Sequence, residues 1–325
     1  MEDKQSKKLS KQAKIAVVLG GKSKERPGSL ISGKAVYESL KKQGYTNTFL
    51  LDPLQQDFIQ RLLGADTVFL ILHGRYGEDG KIQGFLDTAG IPYIGSGVLA
   101  SATGMDKRYF KLILQRLNIR TPDFDLIIPQ SFTNQYIDSI VSKFGLPLFL
   151  KPISEGGSLG SGVIHSKEQL IAAIMDFTKQ GFDGFLAEKF IQGRTLTVGL
   201  LEINEKLKVL PILETISKKE FYDYEAKHDP KLHIYECPAR ISGALTKAIQ
   251  NVACEVYRAI GFHGFCRIDF ILGKDKSVYV LEANTLPGMS EGGNMATMAK
   301  ASNINYDRLV LYLLRTAFTR PVYLP

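Results

Sequence analysis

Two short segments in the last quarter of the chain carry the strongest chemical signal: Arg267-Ile-Asp269 and Glu282-Ala-Asn284. Residues two apart on a strand face the same side, so each segment presents both of its polar groups together. The intervening Gly273-Lys-Asp-Lys-Ser277 reads as a hairpin turn. A register that pairs Gly273 with Val278 sets Asp269 opposite Glu282 and Arg267 opposite Asn284. Carboxylates directly opposed in a sheet repel. A hard divalent cation relieves that repulsion, and two carboxylates with an amide oxygen are donors that magnesium takes when phosphates fill its other positions. Taken alone, the same residues also fit an exposed face with a chance acid pair beside an arginine.

A second signal is Lys151-Pro-Ile-Ser-Glu155-Gly-Gly-Ser-Leu-Gly160-Ser-Gly162, which follows an apolar run. Its glycines let backbone N–H groups approach and cradle phosphate oxygens, and Glu155, Gly156, Gly157, Ser158 and Gly160 are the expected contacts. The loop lacks the Gly-Lys-Ser/Thr ending of a Walker A motif. Gly20-Gly-Lys-Ser23 has that ending without the first glycine at the required spacing, and is discounted. Lys107 and Lys151 are candidate phosphate-binding ammonium groups, although a lysine is ordinarily a solvated surface residue. The stretch Ala187-Glu-Lys-Phe-Ile191 fits a cover for an aromatic base, with Glu188, Phe190 and Ile191 at its edge, or equally a buried strand end.

The elements that must position these groups fall into two patterns. Over the first hundred residues, short β-branched runs (15–19, 48–51, 67–72) alternate with amphipathic stretches (31–43, 81–89). That alternation implies βαβ units on a parallel sheet, with ligands gathered at the carboxyl ends of the strands. Two polar, glycine-containing turns sit there, 20–26 and 73–80. Beyond residue 101 the spacing predicts a helix over 105–117, strands at 148–152 and 185–189, and a helix at 167–177. It then predicts strands at 195–203 and 208–213, an irregular stretch over 217–238, a helix at 241–260, and strands at 265–272 and 278–283. Runs of strands mixed with helices argue for α+β layers in this part. The expected division is a basic tail (1–13), an α/β substrate-binding domain (14–104), a central lobe (105–190) and a C-terminal lobe with lid and metal site (191–325).

The 325 residues suit two or three domains. A composition of 44% hydrophobic and 23% charged residues excludes disordered and fibrous classes. The longest apolar run, 68–72, is far short of the ~18 residues a membrane span needs. The lysine-rich start has no apolar stretch and does not read as a secretory signal. Cys237, Cys254 and Cys266 are too scattered for a disulfide framework or a zinc site, so the expectation is three reduced thiols in a cytoplasmic protein. The net charge of +8 suits an anionic small molecule such as a nucleotide. No basic helix or stacking motif supports nucleic acid as a partner.

Together these residues resemble the D-alanine–D-alanine ligases of the ATP-grasp superfamily, from about residue 14 to 318. The resemblance rests on Gly20-Gly-Lys-Ser-x-Glu25-Arg, His73-Gly-x-x-Gly-Glu78-Asp-Gly80 and Met105-Asp-Lys107. It continues through the Lys151–Gly160 segment, Phe221-Tyr-Asp-Tyr-Glu-Ala-Lys227, Arg267-Ile-Asp269 and Glu282-Ala-Asn-Thr-Leu-Pro-Gly288-Met. It implies a parallel α/β domain followed by a two-lobed ATP-grasp fold that joins two D-alanines through an acyl phosphate for peptidoglycan precursors. It places ATP beneath the 156–160 loop near Lys107, Lys151 and Lys227, and magnesium (or manganese) on Asp269, Glu282 and Asn284. Arg267 and the Gly288 N–H would stabilise an oxyanion. Glu25 would hold the first substrate's ammonium, with His73, Glu78, His228 and Ser290 around the substrates and a lid over 217–230. A homodimer is carried over from the same resemblance.

Several positions depart from that family's pattern: Pro27 and Gly28 in the first loop, Gly157 and Gly293 for Ser, Thr195 for a ribose-binding Glu, and His228 for Tyr. The departures spare the metal and phosphate positions and gather around the substrates and the ribose. Acceptors other than D-alanine (D-lactate, D-serine) therefore stay open, and His228 is either a pH-sensitive selector or a ring standing in for Tyr. A nucleotide-binding paralogue without catalysis is the alternative from a different class.

Overall fold

The computed structural model describes residues 10–157, 159–218 and 231–321. The expectations at Ser158, Lys227, His228 and most of the 217–230 lid lie outside the described residues. The described end of the basic tail lies against the first domain. The Lys11 ammonium sits 3.7 Å from the Tyr45 ring centroid, its Nζ donates to the Gln43 carbonyl, and Ala13 is buried.

Three sheets follow one another along the chain. The first is parallel, in the order β2 (Thr48–Leu51), β1 (Ile15–Val18), β3 (Thr67–Leu70), with Ile15 level with both Thr48 and Thr67. All of β1 and β3 is buried, as two-sided burial of a parallel sheet requires. Helices α1 (Arg26–Lys42), α2 (Phe58–Leu63), α3 (Lys81–Thr88) and α4 (Val98–Met105) belong to this part. Helix α1 starts five residues earlier than periodicity placed it, because Pro27 fits the first helical turn, where a backbone N–H would have no partner.

The second sheet is antiparallel, in the order β4 (Phe124–Ile127), β7 (Phe185–Lys189), β5 (Leu148–Pro152), β6 (Gly162–Ile164). Helices α6 (Asn134–Phe144) and α7 (Lys167–Lys179) cover it through Ile137, Ile140, Leu170 and Ile174. The expected helix over 105–117 is α5 (Lys107–Arg116), and Met105 closes the preceding α4. The break falls at Asp106, whose extended backbone (ψ 99°) and side chain cap α5 by accepting from the N–H groups of Arg108 and Tyr109.

The third sheet is antiparallel and runs β11 (His233–Glu236), β10 (Leu213–Ser217), β8 (Gly193–Ile203), β12 (Phe265–Gly273), β13 (Val278–Asn284), with β9 (Lys206–Val209) also on β8. The single strand expected over 208–213 is thus β9 and β10. Pro211 lies between them and cannot donate to a ladder. The stretch read as irregular contains β11. Helix α8 (Gly243–Ile260) lays Ile249, Ala253, Val256 and Ile260 on Val198, Ile268 and Phe270. Helices α9 (Asn294–Ala301) and α10 (Tyr306–Thr316) return to the first sheet, where Leu309, Val310 and Leu313 share one core with Val36 and Leu40.

The β12–β13 register decides where the chemistry points. Leu272 pairs with Val278 and Phe270 with Val280, one step from the expected register. A bulge at Leu281 then restores it, so that Asp269 stands opposite Glu282 and Arg267 opposite Asn284. Without the extra residue, Leu281 would oppose Asp269, and Glu282 would turn with Ile268 into the core of α8.

Helix α1 meets β1 so closely that a Cβ on Gly33 would lie 2.6 Å from the Leu19 Cβ. Alanine gains about 1 kcal/mol over glycine in a helix, whereas overpacking a tight contact costs about 1–3 kcal/mol. Gly33→Ala is expected to lower stability in urea denaturation despite its better helix propensity. The exposed Lys34→Ala beside it is expected to stay within about 0.5 kcal/mol of the unaltered protein.

Candidate active site

The site is built around three buried ammonium groups. Lys107 opens α5, and its N–H donates to the Ile153 carbonyl at 3.0 Å, tying the helix start to the end of β5. Its Nζ donates to the Glu155 carbonyl and lies 3.4 Å from Glu282 Oε2. Lys151, on β5, places Nζ 2.9 Å from Glu188 Oε1 on β7 and 3.4 Å from the Leu281 carbonyl at the bulge. Lys111, one turn along α5, has no exposed surface and reaches the same Glu188 oxygen at 2.7 Å. Far from being solvated, Lys107 and Lys151 are 6% and 5% exposed.

Burial at this level is sustainable only for paired charges. Burial pulls the Lys111 pKa down to about 8, although Glu188 opposes the shift. Burial also works against the charge on Glu188, but the ammoniums of Lys111 and Lys151 outweigh it and hold that carboxyl below the ordinary glutamate value.

Asp269 is gripped from two sides: Thr197 Oγ1 donates at 2.8 Å, and Arg267 donates through Nε at 3.1 Å and through its terminal nitrogen at 2.9 Å. Burial resists the Arg267 charge, but Asp269 and then Glu282 overcome it and raise its pKa. Asn284 Oδ1 accepts from the Leu286 N–H at 3.2 Å. The donor set suits magnesium: two hard carboxylates on adjacent strands and an amide oxygen, with no third carboxylate to close the shell. Among the described residues no group of three or more His, Cys, Asp or Glu is clustered for a metal, so a cation held here needs oxygens from a bound ligand.

Between the second and third sheets, one cleft is lined by Lys107, Lys151, Glu188, Arg267, Asp269 and Glu282, with Phe149, Phe190, Ile191, Ile271 and Leu281 forming its apolar part. Two aromatic rings and branched aliphatic side chains beside buried cations suit a planar base with phosphates attached. Thr195 also lines it. At the rim, Gly160 has φ +67°, and a Cβ there would meet the Phe182 ring at 2.9 Å. Glu155 lines the same cleft, and its carboxylate meets Arg75 at 2.8 Å.

The first-sheet turns form a second compartment. Glu25 precedes α1, and its Oε1 is buried without a hydrogen-bond partner among the described residues. Gly156 and Gly157 press against it: a Cβ on Gly156 would lie 2.3 Å from Glu25 Oε1, and one on Gly157 3.1 Å from Oε2. Glu78 is buried and accepts from the N–H groups of Gly74 (2.7 Å) and Leu286 (3.0 Å). Burial, and then the nearby Glu25 charge, push its pKa up to about 8. His73 Nε2 lies 3.3 Å from Ser32 Oγ, which accepts from the Met289 N–H at 3.1 Å next to Gly288. The Ser290 carbonyl accepts from the Gly293 N–H at 3.0 Å, and a Cβ on Gly293 would sit 2.9 Å from Ser290 Oγ. A buried unpartnered carboxylate oxygen in a polar compartment is suited to an ammonium ligand.

Sequence reasoning missed Lys111, Thr197, Ser32, Arg75 and Phe149. Lys111 had a signal, since it lies four residues after Lys107 on one helical face. Thr197 also had one, because it shares the β8 face of Thr195. Ser32 and Arg75 had none.

The chain matches two family models, described as "D-ala D-ala ligase N-terminus" over residues 51–96 and "D-ala D-ala ligase C-terminus" over residues 113–315. It is 40% identical to the D-alanine–D-alanine ligase of Nitrosomonas europaea, over 93% of this chain and 96% of the relative. It is 38% identical to that of Fervidobacterium nodosum, over 93% and 98%. Among solved structures, the Bacillus anthracis D-alanine–D-alanine ligase complexed with ATP superposes with a TM-score of 0.81 at 31% identity, covering 95% of this chain and 98% of that one.

A raised carboxyl pKa links Glu78 to stability. From an ordinary value of 4.5 to about 8 in the folded chain, the folded state holds a proton that the unfolded state releases. The contribution is therefore complete below pH 4.5 and lost as pH rises through 8. Glu78→Gln should remove that slope. In urea denaturation the variant is expected to gain on the unaltered protein between pH 5 and 8, and equal pH profiles would contradict this assignment.

Proposed function

The chain belongs to the D-alanine–D-alanine ligase family, and from that premise we propose how its own residues divide the work of an ATP-dependent ligase that joins two D-alanines for peptidoglycan precursors. The observation that carries the reading is the convergence of Lys107, Lys151, Arg267, Asp269 and Glu282 on one cleft beside an apolar base pocket.

In this reading the base of ATP lies between Phe149 and Ile271, with Glu188, Phe190 and Ile191 at its edge, and the triphosphate lies beneath the loop carrying Gly156, Gly157 and Gly160. Asp269, Glu282 and Asn284 would hold magnesium, or manganese, which supplies positive charge to the terminal phosphates. Lys107 and Lys151 exchange carboxylate and carbonyl partners for phosphate oxygens, so their charge is already in place when ATP arrives. Glu25 takes the ammonium of the first D-alanine at its buried Oε1. A carboxylate oxygen of that D-alanine attacks the γ-phosphorus, and ADP leaves. The amine of the second D-alanine attacks the acyl phosphate carbonyl and loses a proton, and inorganic phosphate departs. Arg267 and the Gly288 N–H stabilise the oxyanion between those events. Burial and the neighbouring Glu25 raise the Glu78 pKa, which disfavours a second negative charge beside Glu25. His73 and Ser290 line the substrate side; the resemblance's further assignments to Lys227 and His228 lie outside the described residues.

The reading includes the division into an α/β substrate domain (14–104), a central lobe (105–190) and a C-terminal lobe (191–325), a homodimer, and work in the cytoplasm. No helix among the described residues is long and apolar enough to cross a membrane. Gly293, against which Ser290 Oγ packs too closely for a Cβ, gives a second reading, in which the same chemistry accepts D-lactate or D-serine. The buried lysines speak against a non-catalytic paralogue, because pairing three ammoniums in a cleft costs desolvation that a mere interaction surface does not require.

Magnesium-dependent phosphate release should require D-alanine and yield a dipeptide by mass spectrometry. Arg267→Met should cut kcat by about 100-fold or more. ATP hydrolysis that ignores every D-amino and D-hydroxy acid would sink the ligase reading.

A further inference from the structure

We propose that Arg75 is a positioning residue that couples the first amino-acid compartment to the phosphate loop. The proposal rests on the functional reading above and deepens it. Arg75 lies on the turn after β3, and its guanidinium crosses to the central lobe. There it meets Glu155 at 2.8 Å and Asp183 at 3.0 Å, and its Nε donates to the Ser154 carbonyl at 3.4 Å.

From the two ends of that bridge run continuous contacts. On one side, Gly74 abuts Glu25 so closely that a Cβ would lie 2.9 Å from its unpartnered Oε1, and the Gly74 N–H donates to Glu78. On the other, the Glu155 carbonyl accepts from Lys107 Nζ, which lies 3.4 Å from Glu282 Oε2 in the proposed metal set. One path therefore runs Glu25–Gly74–Arg75–Glu155–Lys107–Glu282. The charged groups around Glu155 are Arg75, Glu25, Lys24 and Lys107.

The local backbone supports a functional placement. Tyr76, the next residue, has φ +70°, unusual for a bulky side chain, and is 54% exposed, with the Lys81 ammonium 5.3 Å from its ring centroid. Its N–H donates to Asp79 at 2.9 Å, which holds the turn shape that aims Arg75 inward. Lys24, on the other substrate turn, supplies a second tether by donating to the Gln180 carbonyl at 2.8 Å and lying 3.7 Å from the Phe182 ring centroid. An ammonium at Glu25 changes the charge balance at Gly156 and Glu155, and Arg75 transmits it to the lysine that meets phosphate.

Coupling is a reciprocal change in affinity, which calorimetry reads without turnover. A magnesium complex of a non-hydrolysable ATP analogue is titrated into the full chain with and without saturating D-alanine. The unaltered protein is expected to bind the analogue at least about fivefold more tightly with D-alanine present. In Arg75→Gln that factor should fall to about one while the affinity without D-alanine changes little, and Arg75→Lys should recover part of it. Glu155→Gln reaches the bridge from its other end and should give the same loss, with no further loss in the double variant. Binding of both ligands with an unchanged factor in Arg75→Gln and Glu155→Gln, or no factor in the unaltered protein, overturns the role of Arg75 and leaves the ligase reading standing. Failure of the unaltered protein to bind D-alanine at all removes both.

Discussion

Asp269 and Glu282 face each other across β12 and β13, and like charges in that position repel unless something positive stands between or beside them. Much of the site answers that constraint. Arg267 and Thr197 hold Asp269, Lys107 approaches Glu282, and Lys151 is kept close by Glu188 and the Leu281 carbonyl. Each cation that a triphosphate would need is thus stored against an oxygen of the protein. Exchanging one anionic partner for another costs far less than bringing a bare ammonium into a dry cleft.

Three parts of the chain serve that arrangement. The break at Asp106 starts α5 where Lys107 meets both Glu155 and Glu282, and the next turn delivers Lys111 to Glu188. Thus α5 contributes the ammonium that meets Glu282 and, one turn on, a counter-ion that shares Glu188 with Lys151. The bulge at Leu281 turns Glu282 and Asn284 out of the α8 core and frees a carbonyl for Lys151. The turn after β1 brings Glu25 against Gly156 and Gly157 of the glycine-rich loop, and the turn after β3 brings Glu78 to the Leu286 N–H.

Much of this was legible in the residues. Strands at 148–152 and 185–189 fall where the apolar runs put them, and the Arg267-x-Asp269 and Glu282-x-Asn284 alternation gave the opposed pair. That pairing emerged from a register wrong by one at the turn. The bulge restores it, and a two-residue period carries no trace of an inserted residue. The start of α5 was marked by Asp106 preceding a helical run, and Pro211 marked the split of β9 from β10. Lys111 and Arg75 were hidden for a different reason: a lysine or arginine usually belongs to solvent, and only the tertiary placement of Glu188 and Glu155 makes them interior or bridging groups. Glu155 resembled a phosphate contact by its place in the loop, and its partner lies 80 residues earlier in the chain.

The central claim is that the opposed carboxylates exist to share a divalent cation with a nucleotide. The most direct measurement is the affinity for ATP by calorimetry with magnesium and with chelator, in the unaltered protein and in Asp269→Asn. The account predicts that magnesium tightens ATP binding in the unaltered protein and that the variant loses about tenfold or more of that gain. An equal magnesium gain in both proteins would contradict it.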